Sequence, residues 1–293
     1  MPRETAAACG SLDLHTHSTA SDGLLAPADL VAEARRCGVG VLALTDHDTL
    51  GGLPEARGAA RAAGVHLVPG LELGCRETAN GAEVRTDVLA YLVDPSDSAL
   101  RALLEHLQVH RAERGRQMVE RLRSMGAPVT WGHVEERATG GTVARPHVAR
   151  ALVQVGFVES VREAFDRYLG TGCPAYVGGY PLSPAEACRS VRAAGGVPVL
   201  AHPVPPDRPY SDPRRLRWFL PPLVEAGLGG LECYYPGYTS RVSRWLCALA
   251  DFFGLVPTGG SDFHGADRPA NALGSVAIPA DTVERLERAA RKA

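Results

Sequence analysis

Five short apolar runs in this 293-residue chain each end in a histidine or carboxylate of the kind that holds a metal ion. They are LDLHTH over 12–17, VGVLALTDH over 39–47, VHLVPGLE over 65–72, GVPVLAH over 196–202 and LVPTGGSDFH over 255–264. His15 and His17 stand two apart. On an extended strand such residues point the same way, so both imidazoles can reach one ion. The competing reading is two surface histidines at a strand edge. Asp22 follows in the next loop. His47 closes the second run, flanked by Asp46 and Asp48. Neighbouring strand residues face opposite sides, so Asp46 is expected to accept an imidazole N–H and Asp48 to cap the next helix. Glu72 ends a stretch that is otherwise apolar. A carboxylate is costly to bury there unless it is paired or bound to metal, and bridging two ions would satisfy it. His202 in AHP and the Asp262/His264 pair in GSDFH repeat this logic. His66 begins its run and is expected to be structural.

A mixed imidazole and carboxylate set suits Mn²⁺, Zn²⁺ or Fe²⁺. Such ions make water nucleophilic near neutral pH and neutralise phosphoryl oxygens. That is the chemistry phosphate-ester hydrolysis most needs, because its uncatalysed rate is very slow. No serine nucleophile elbow, phosphate-binding Walker loop or dinucleotide glycine fingerprint competes.

Apolar runs of this length read as buried strands of a parallel sheet, and α/β barrels keep their chemistry at the carboxyl ends of such strands. Helices are expected near Pro27–Cys37 and over about Thr49–Ala63, and a further strand over Glu83–Val93. This alternation implies a mostly parallel sheet. It then breaks. Ser98–Ser124 reads as one long amphipathic helix, with Leu100, Leu103, Leu104, Leu107, Met118, Leu122 and Met125 on its apolar side. Its Arg111, Arg114, Arg116 and neighbours alternate with glutamates and are expected on a solvated face, with a groove for RNA as the alternative. Shorter helices follow near Trp131–Ala138, Arg145–Val155 and Ser160–Leu169. From Ser183 the alternation resumes through strands ending at His202, Tyr235 and before Asp262. That gives seven strands, with Leu273–Ile278 as an eighth or an edge element. Residues 97–172 form a helical insertion between two parts, 1–96 and 173–293, of one barrel domain.

Bulk composition is permissive. Apolar residues make up 45% and the formal charge is -2, so no global field recruits nucleic acid or membrane. No run is long enough to span a bilayer, and the first ten residues lack the apolar core of a secretory signal. Seven cysteines without a C-x-x-C pattern fit reduced thiols in the cytoplasm. No obligate protein partner is evident.

DLHTHSTASDG, LTDHDT, PGLE, AHP and GSDFH, in that order, resemble the PHP (polymerase and histidinol phosphatase) family, and most closely its stand-alone phosphoesterases. The resemblance spans nearly the whole chain. It implies an α/β fold, a distorted (β/α)₇ barrel of PHP type with a helical insertion domain, holding two or three divalent ions at its carboxyl-end face. Carried across, one ion falls to His15, His17, Glu72 and Asp262. A second shares Glu72 and adds His202. A third uses Asp22, His47 and His264. The chain departs from the family once: TDVLAYLVD places Asp87 where the family usually has a histidine for the second ion. Aspartate still suits hard divalent ions. VARPHVAR resembles a family segment whose arginine and histidine approach the substrate phosphate. Arg145 suits a bidentate phosphate contact, and His147 could contact substrate or assist the leaving group. The alternative is a helix start with Pro146 in its first turn. Glu232 could support the site or contact a substrate hydroxyl, while Tyr234 and Tyr235 are expected at the barrel rim, with stacking on a base as the alternative.

The expected function is hydrolysis by metal-activated water, with His202 and Asp262 beside the reacting centre. The substrate would be a small phosphorylated molecule: a nucleoside 3′,5′-bisphosphate, a mononucleotide or the 5′ end of short RNA. Histidinol-phosphate phosphatase is the alternative within enzymes. A non-catalytic module that binds metal or phosphate is the alternative outside them.

Overall fold

A computed structural model of the chain describes residues 10–79, 82–204, 213–266 and 269–291. Strand β1 (Ser11–Asp13) leads to helix α1 (Pro27–Arg36), which has proline in its first turn and Arg35 and Arg36 in its last. Strand β2 (Val39–Leu44) is buried throughout, as a continuous apolar run should be. Helix α2 (Leu53–Ala63) stops at Gly64, whose φ of 66° is the left-handed conformation glycine adopts freely. Strands β3 (His66–Ala79) and β4 (Ala82–Tyr91) follow, then α3 (Ser98–Ser124), capped by the Asp97 side chain accepting from Leu100 N–H. Helices α4 (Trp131–Glu135), α5 (Arg145–Gln154) and α6 (Val161–Ala164) come next, the last running into a π turn over Phe165–Leu169. The chain returns through α7 (Pro184–Ala193), β5 (Val197–Leu200), α8 (Pro213–Glu225), β6 (Gly230–Tyr234), α9 (Ser240–Phe253), β7 (Val256–Gly259) and α10 (Thr282–Ala290).

The seven strands lie in chain order, β1 to β7. Their two outer members curl together. Thr16 and Phe263, just beyond β1 and β7, form a parallel bridge, and His17 N–H donates to Phe263 C=O at 2.9 Å. Buried Asp13 tightens this seam by accepting from Ser261 N–H at 2.8 Å and Gly274 N–H at 2.9 Å. Leu12, Leu14, Val68, Leu89 and Val199 fill the interior, where Tyr91 donates its hydroxyl to Leu14 C=O at 2.7 Å.

Two expectations change. β4 runs antiparallel to both neighbours, so β3 and β4 are a hairpin and not a βαβ unit. Only two residues separate them, too few for the crossover that parallel pairing requires. β3 also continues seven residues past Glu72, carrying the hairpin out over the site. Leu273–Ile278 is not a strand; it lies against the seam between β1 and β7 through Gly274.

The helices between β4 and α7 build an apolar cluster of their own, with Met118, Leu122, Val129, Val148 and Leu152 at its centre. The first half of α3 belongs elsewhere: Leu100, Leu104 and Leu107 pack on the barrel's outer layer. Among the described residues no helix is long and apolar enough to cross a membrane.

Candidate metal centre

Every candidate ligand projects from the same end of the barrel. His15 and His17 follow β1, His47 follows β2, Glu72 lies within β3 and Asp87 within β4. His202 follows β5, and Asp262 and His264 follow β7. Backbone bridges hold the ends in place: His47 pairs with Glu72 and Thr16 with Phe263. His202 and Asp262 adopt positive φ, 25° and 52°, a conformation non-glycine residues rarely hold without surrounding constraint.

The side chains converge into three overlapping groups: His15, His17, Glu72 and Asp262; Glu72, Asp87 and His202; and His17, Asp22, His47 and His264. In the first group, Nε2 of His15 and Nε2 of His17 each lie 3.3 Å from Glu72 Oε2 and 3.3 Å from Asp262 Oδ1. Four donors placed tetrahedrally at about 2.1 Å from an ion are roughly 3.4 Å apart, so these spacings would suit a shared ion. Nε2 of both histidines, Nδ1 of His47 and Oδ1 of Asp22 are buried with no hydrogen-bond partner, a costly state unless a cation satisfies them. The two oxygens of Glu72 face different groups. Oε2 faces His15, His17 and, at 3.2 Å, Nδ1 of His47, whereas Oε1 meets Nε2 of His202 at 3.0 Å. That is the bearing of a bridging carboxylate. The residues fit a multinuclear divalent centre.

Electrostatics agree. Burial alone would raise the carboxyl groups of Asp22, Glu72 and Asp262, but the surrounding imidazoles outweigh it and hold all three below the usual range. Burial alone would lower His15 and His17. The carboxylates reverse this, lifting His15 well above 6.5 and His17 to about 9. The set therefore demands positive charge, which divalent ions supply.

Residues behind the ligands orient them. Glu232 is fully buried, 3.0 Å from His15 Nδ1, and accepts from the His202 backbone N–H at 2.6 Å. A carboxylate on Nδ1 holds the proton there and leaves Nε2 as the free lone pair. Both of its oxygens are thus engaged by protein groups. Tyr235 donates to Asp262 Oδ2 at 2.7 Å, leaving Oδ1 toward the histidines. The ring of His264 bonds Asp262 C=O through Nδ1 at 2.9 Å, which turns its Nε2 toward Asp22.

Several sequence expectations are corrected here. Asp46 touches no imidazole. It accepts from Ser18 N–H at 2.8 Å, Ser18 Oγ at 2.7 Å and Ser21 Oγ at 2.6 Å, shaping the loop that presents Asp22. Asp48 does not cap α2, which begins at Leu53; it ion-pairs with Arg111 and accepts from Gly74 N–H at 3.1 Å. His147 is buried and occupied on both sides, accepting from Ala144 N–H at 3.1 Å and bonding the Ser21 backbone. Burial pushes its pKa down to about 4, and its ring ties α5 to the Asp22 loop. Arg150, also on α5, adds bonds to Asp22 C=O at 3.1 and 3.2 Å. Helix α5 is thus tied to a candidate ligand loop.

Above the cluster opens a cavity of about 710 Å³. Arg145 lines it, its guanidinium 5.4 Å from the centre of the Phe165 ring. Burial and the charges of Arg85 and Arg76 bring Arg145 down to about 10. Arg111 and Arg114 also line the cavity, contrary to the solvated face expected of them, while Arg116, Arg121 and Arg123 stay exposed. Sequence reading missed Arg76 and Arg85 on the hairpin altogether. Their signal is their spacing from Glu72 and Asp87, four and two residues away, which puts each on its neighbour's face.

A family model for the PHP domain matches residues 13–134. A 5′-3′ exoribonuclease of Haemophilus influenzae is 35% identical over 252 residues, 86% of this chain and 89% of that protein. A 3′,5′-nucleoside bisphosphate phosphatase of Chromobacterium violaceum is 33% identical over 255 residues, 87% of each chain. Among solved structures, one described as a metal-dependent phosphoesterase of Bifidobacterium adolescentis superposes with a TM-score of 0.85 at 33% identity, covering 95% of this chain and 96% of that one.

Proposed function

The chain belongs to the PHP domain family, and on that premise we propose that it is a metal-dependent phosphoesterase of nucleotides or of the 5′ ends of short RNA. The observation that carries this reading is the bridging posture of Glu72 within a buried imidazole and carboxylate cluster that opens into an arginine-lined cavity. His15, His17, Glu72 and Asp262 would hold one ion, and Glu72, Asp87 and His202 a second. Asp22, His47 and His264, with His17 beside them, would hold a third. Divalent ions bound there, Mn²⁺, Zn²⁺ or Fe²⁺, would lower the pKa of water and polarise phosphoryl oxygens.

The protein's own groups do the rest. Glu232 and Tyr235 keep His15 and Asp262 aimed inward, so the donor set is organised before substrate arrives. Arg145 offers a planar fork to a phosphate entering from the insertion side. Residues 97–172 act as a cap domain over the cavity. The described cysteines are unpaired, which suits a reducing, cytoplasmic setting.

A phosphate-release screen with Mn²⁺-loaded protein tests this. Its substrates are nucleoside 3′,5′-bisphosphates, mononucleotides, 5′-phosphorylated oligoribonucleotides and histidinol phosphate. Release from a nucleotide or RNA substrate is expected. Release from histidinol phosphate alone would move the reading to that phosphatase. No release from protein with confirmed bound metal would make it a binding module.

A further inference from the structure

We infer that Cys233 and Cys247 are a redox-active thiol pair, which a peroxide joins as a disulfide, and that the bond loosens the hold of β6 on the metal centre. A bulge in β6 carries this. Glu232 lies opposite Thr258 and Tyr234 opposite Gly259, so two steps along β6 match one along β7 and Cys233 is the extra residue. On a regular strand Cys233 and Tyr234 would face opposite sides. Here both reach one side chain of α9, the helix packed on β6. Cys247 Sγ and Tyr234 Oη hydrogen-bond at 3.3 Å, and the Cys233 thiol shares a hydrogen bond with Cys247. Cys233 lies in the apolar layer outside the barrel, with Cys247 packed against that layer.

The two sulfurs differ as an attacking thiol and its resolving partner must. Cys247 is partly exposed and Cys233 is buried. Hydrogen bonds from Cys233 and Tyr234, with Arg285 of α10 nearby, outweigh burial and the charge of Asp251 and bring Cys247 down to about 6. Burial and the bond to Cys247 hold Cys233 well above the ordinary thiol range. Cys75 and Cys188 are buried and pushed up as well, Cys188 to about 12. At neutral pH Cys247 is therefore a thiolate, the form that attacks a peroxide. With hydrogen peroxide its sulfur takes one oxygen, the O–O bond breaks, hydroxide leaves and a sulfenic acid forms on Cys247; the sulfur gives up two electrons and the peroxide gains them. The Cys233 sulfur then displaces that hydroxyl group, which leaves as water with the Cys233 proton, and the S–S bond closes. In a reducing compartment such disulfides form transiently, as sensors.

The bulge stands between two residues that aim metal ligands. Glu232, one position before Cys233, meets His15 Nδ1 at 3.0 Å and accepts from His202 N–H at 2.6 Å. Tyr235, two positions after it, donates to Asp262 Oδ2 at 2.7 Å. A covalent bond holds two sulfurs closer than a hydrogen bond does, so closing it draws this part of β6 toward α9 and away from the barrel interior. Glu232 and Tyr235 are pulled with it, and loss of such supporting contacts weakens metal binding. The thiol chemistry is independent of the phosphoesterase reading.

The test exposes full-length protein, reduced and freed of metal by chelator, to hydrogen peroxide at neutral pH. Peptide mapping by mass spectrometry without reductant should find the peptide holding Cys233 joined to that holding Cys247, and dithiothreitol should separate them. Cys233→Ala should stop at the sulfenic acid on Cys247, trapped by dimedone, and Cys247→Ser should give neither product. Iodoacetamide labelling of Cys247 in reduced wild-type protein should be half-maximal near pH 6, and at higher pH in Tyr234→Phe. Mn²⁺ affinity, read by competition with a chelating dye, should fall about ten-fold on oxidation of the wild type and return with dithiothreitol. It should not change in Cys247→Ser treated alike, which accounts for oxidation elsewhere in the chain. If Cys233→Ala does not fold, judged by circular dichroism, Cys233→Ser takes its place. A wild type without the link, or with Cys247 joined to another cysteine instead, overturns the pair. A link that leaves Mn²⁺ affinity unchanged overturns its hold on the metal centre.

Discussion

The floor of the cavity and its wall are built from opposite chemistry by opposite means. The floor is carboxylate and imidazole, set on strand ends whose backbones are fixed by the sheet. Its donors sit about 3.3 Å apart, and two carriers, His202 and Asp262, hold strained positive φ to achieve it. The wall is guanidinium, reaching in on long side chains from the hairpin, α3 and α5. A reacting centre needs position, which short side chains on rigid backbone provide. Recognition of a charged substrate needs reach and field, which arginines on the periphery provide.

Removing a floor donor should have the largest effect. Asp262→Ala or His17→Ala is expected to cut phosphate release on the order of 10³-fold, with circular dichroism unchanged and metal content reduced. Activity surviving in both variants would break the distinction between floor and wall. Next comes the buried ion pair between Asp48 and Arg111 of α3. Arg111→Ala leaves Asp48 buried beside β3 without its cation and should destabilise the fold by about 3 kcal/mol in urea unfolding. A loss below ~1 kcal/mol would show that the wall is merely laid over the floor.

Glu232→Gln sharpens the account of the floor. The amide removes the charge behind His15 and turns a donor toward either His15 Nδ1 or His202 N–H. Metal affinity should fall about 10- to 100-fold, read by competition with a chelating dye. The smallest effect is a pH dependence in the tie between insertion and ligand loop. Burial holds His147 at about 4 in the fold, against 6.5 when exposed. Its contribution is therefore intact above 6.5 and is lost as pH falls toward 4, where the unfolded chain takes up the proton first. Between neutral pH and about pH 4.5, wild-type protein should lose about 2 kcal/mol more stability than His147→Gln. Parallel losses in the two proteins would remove His147 from that role.

Much of the floor could be read before any fold was known. His15 and His17, His47, Glu72, His202, and Asp262 with His264 each terminate an apolar run, and a strand end is a local property of sequence. The long helix α3 was equally legible, because its apolar spacing is local too. Asp48 was misread for the complementary reason: its partner Arg111 lies 63 positions away, and the sequence offered only the nearer helix to cap. His147 was offered as a substrate contact by resemblance to a family segment, and the chain could not show that Ala144 N–H would donate to its ring or that burial would lower its pKa.

By itself, then, the sequence determined which donors exist and that they stand at strand ends, since residue type and a two-residue period need no partner to be interpreted. Only the tertiary structure decided which donors share an ion, how Glu72 divides its oxygens, and that Arg76 faces Arg85 across the hairpin. Those depend on register between strands, and register is set by packing through space, over separations the linear chain does not encode locally.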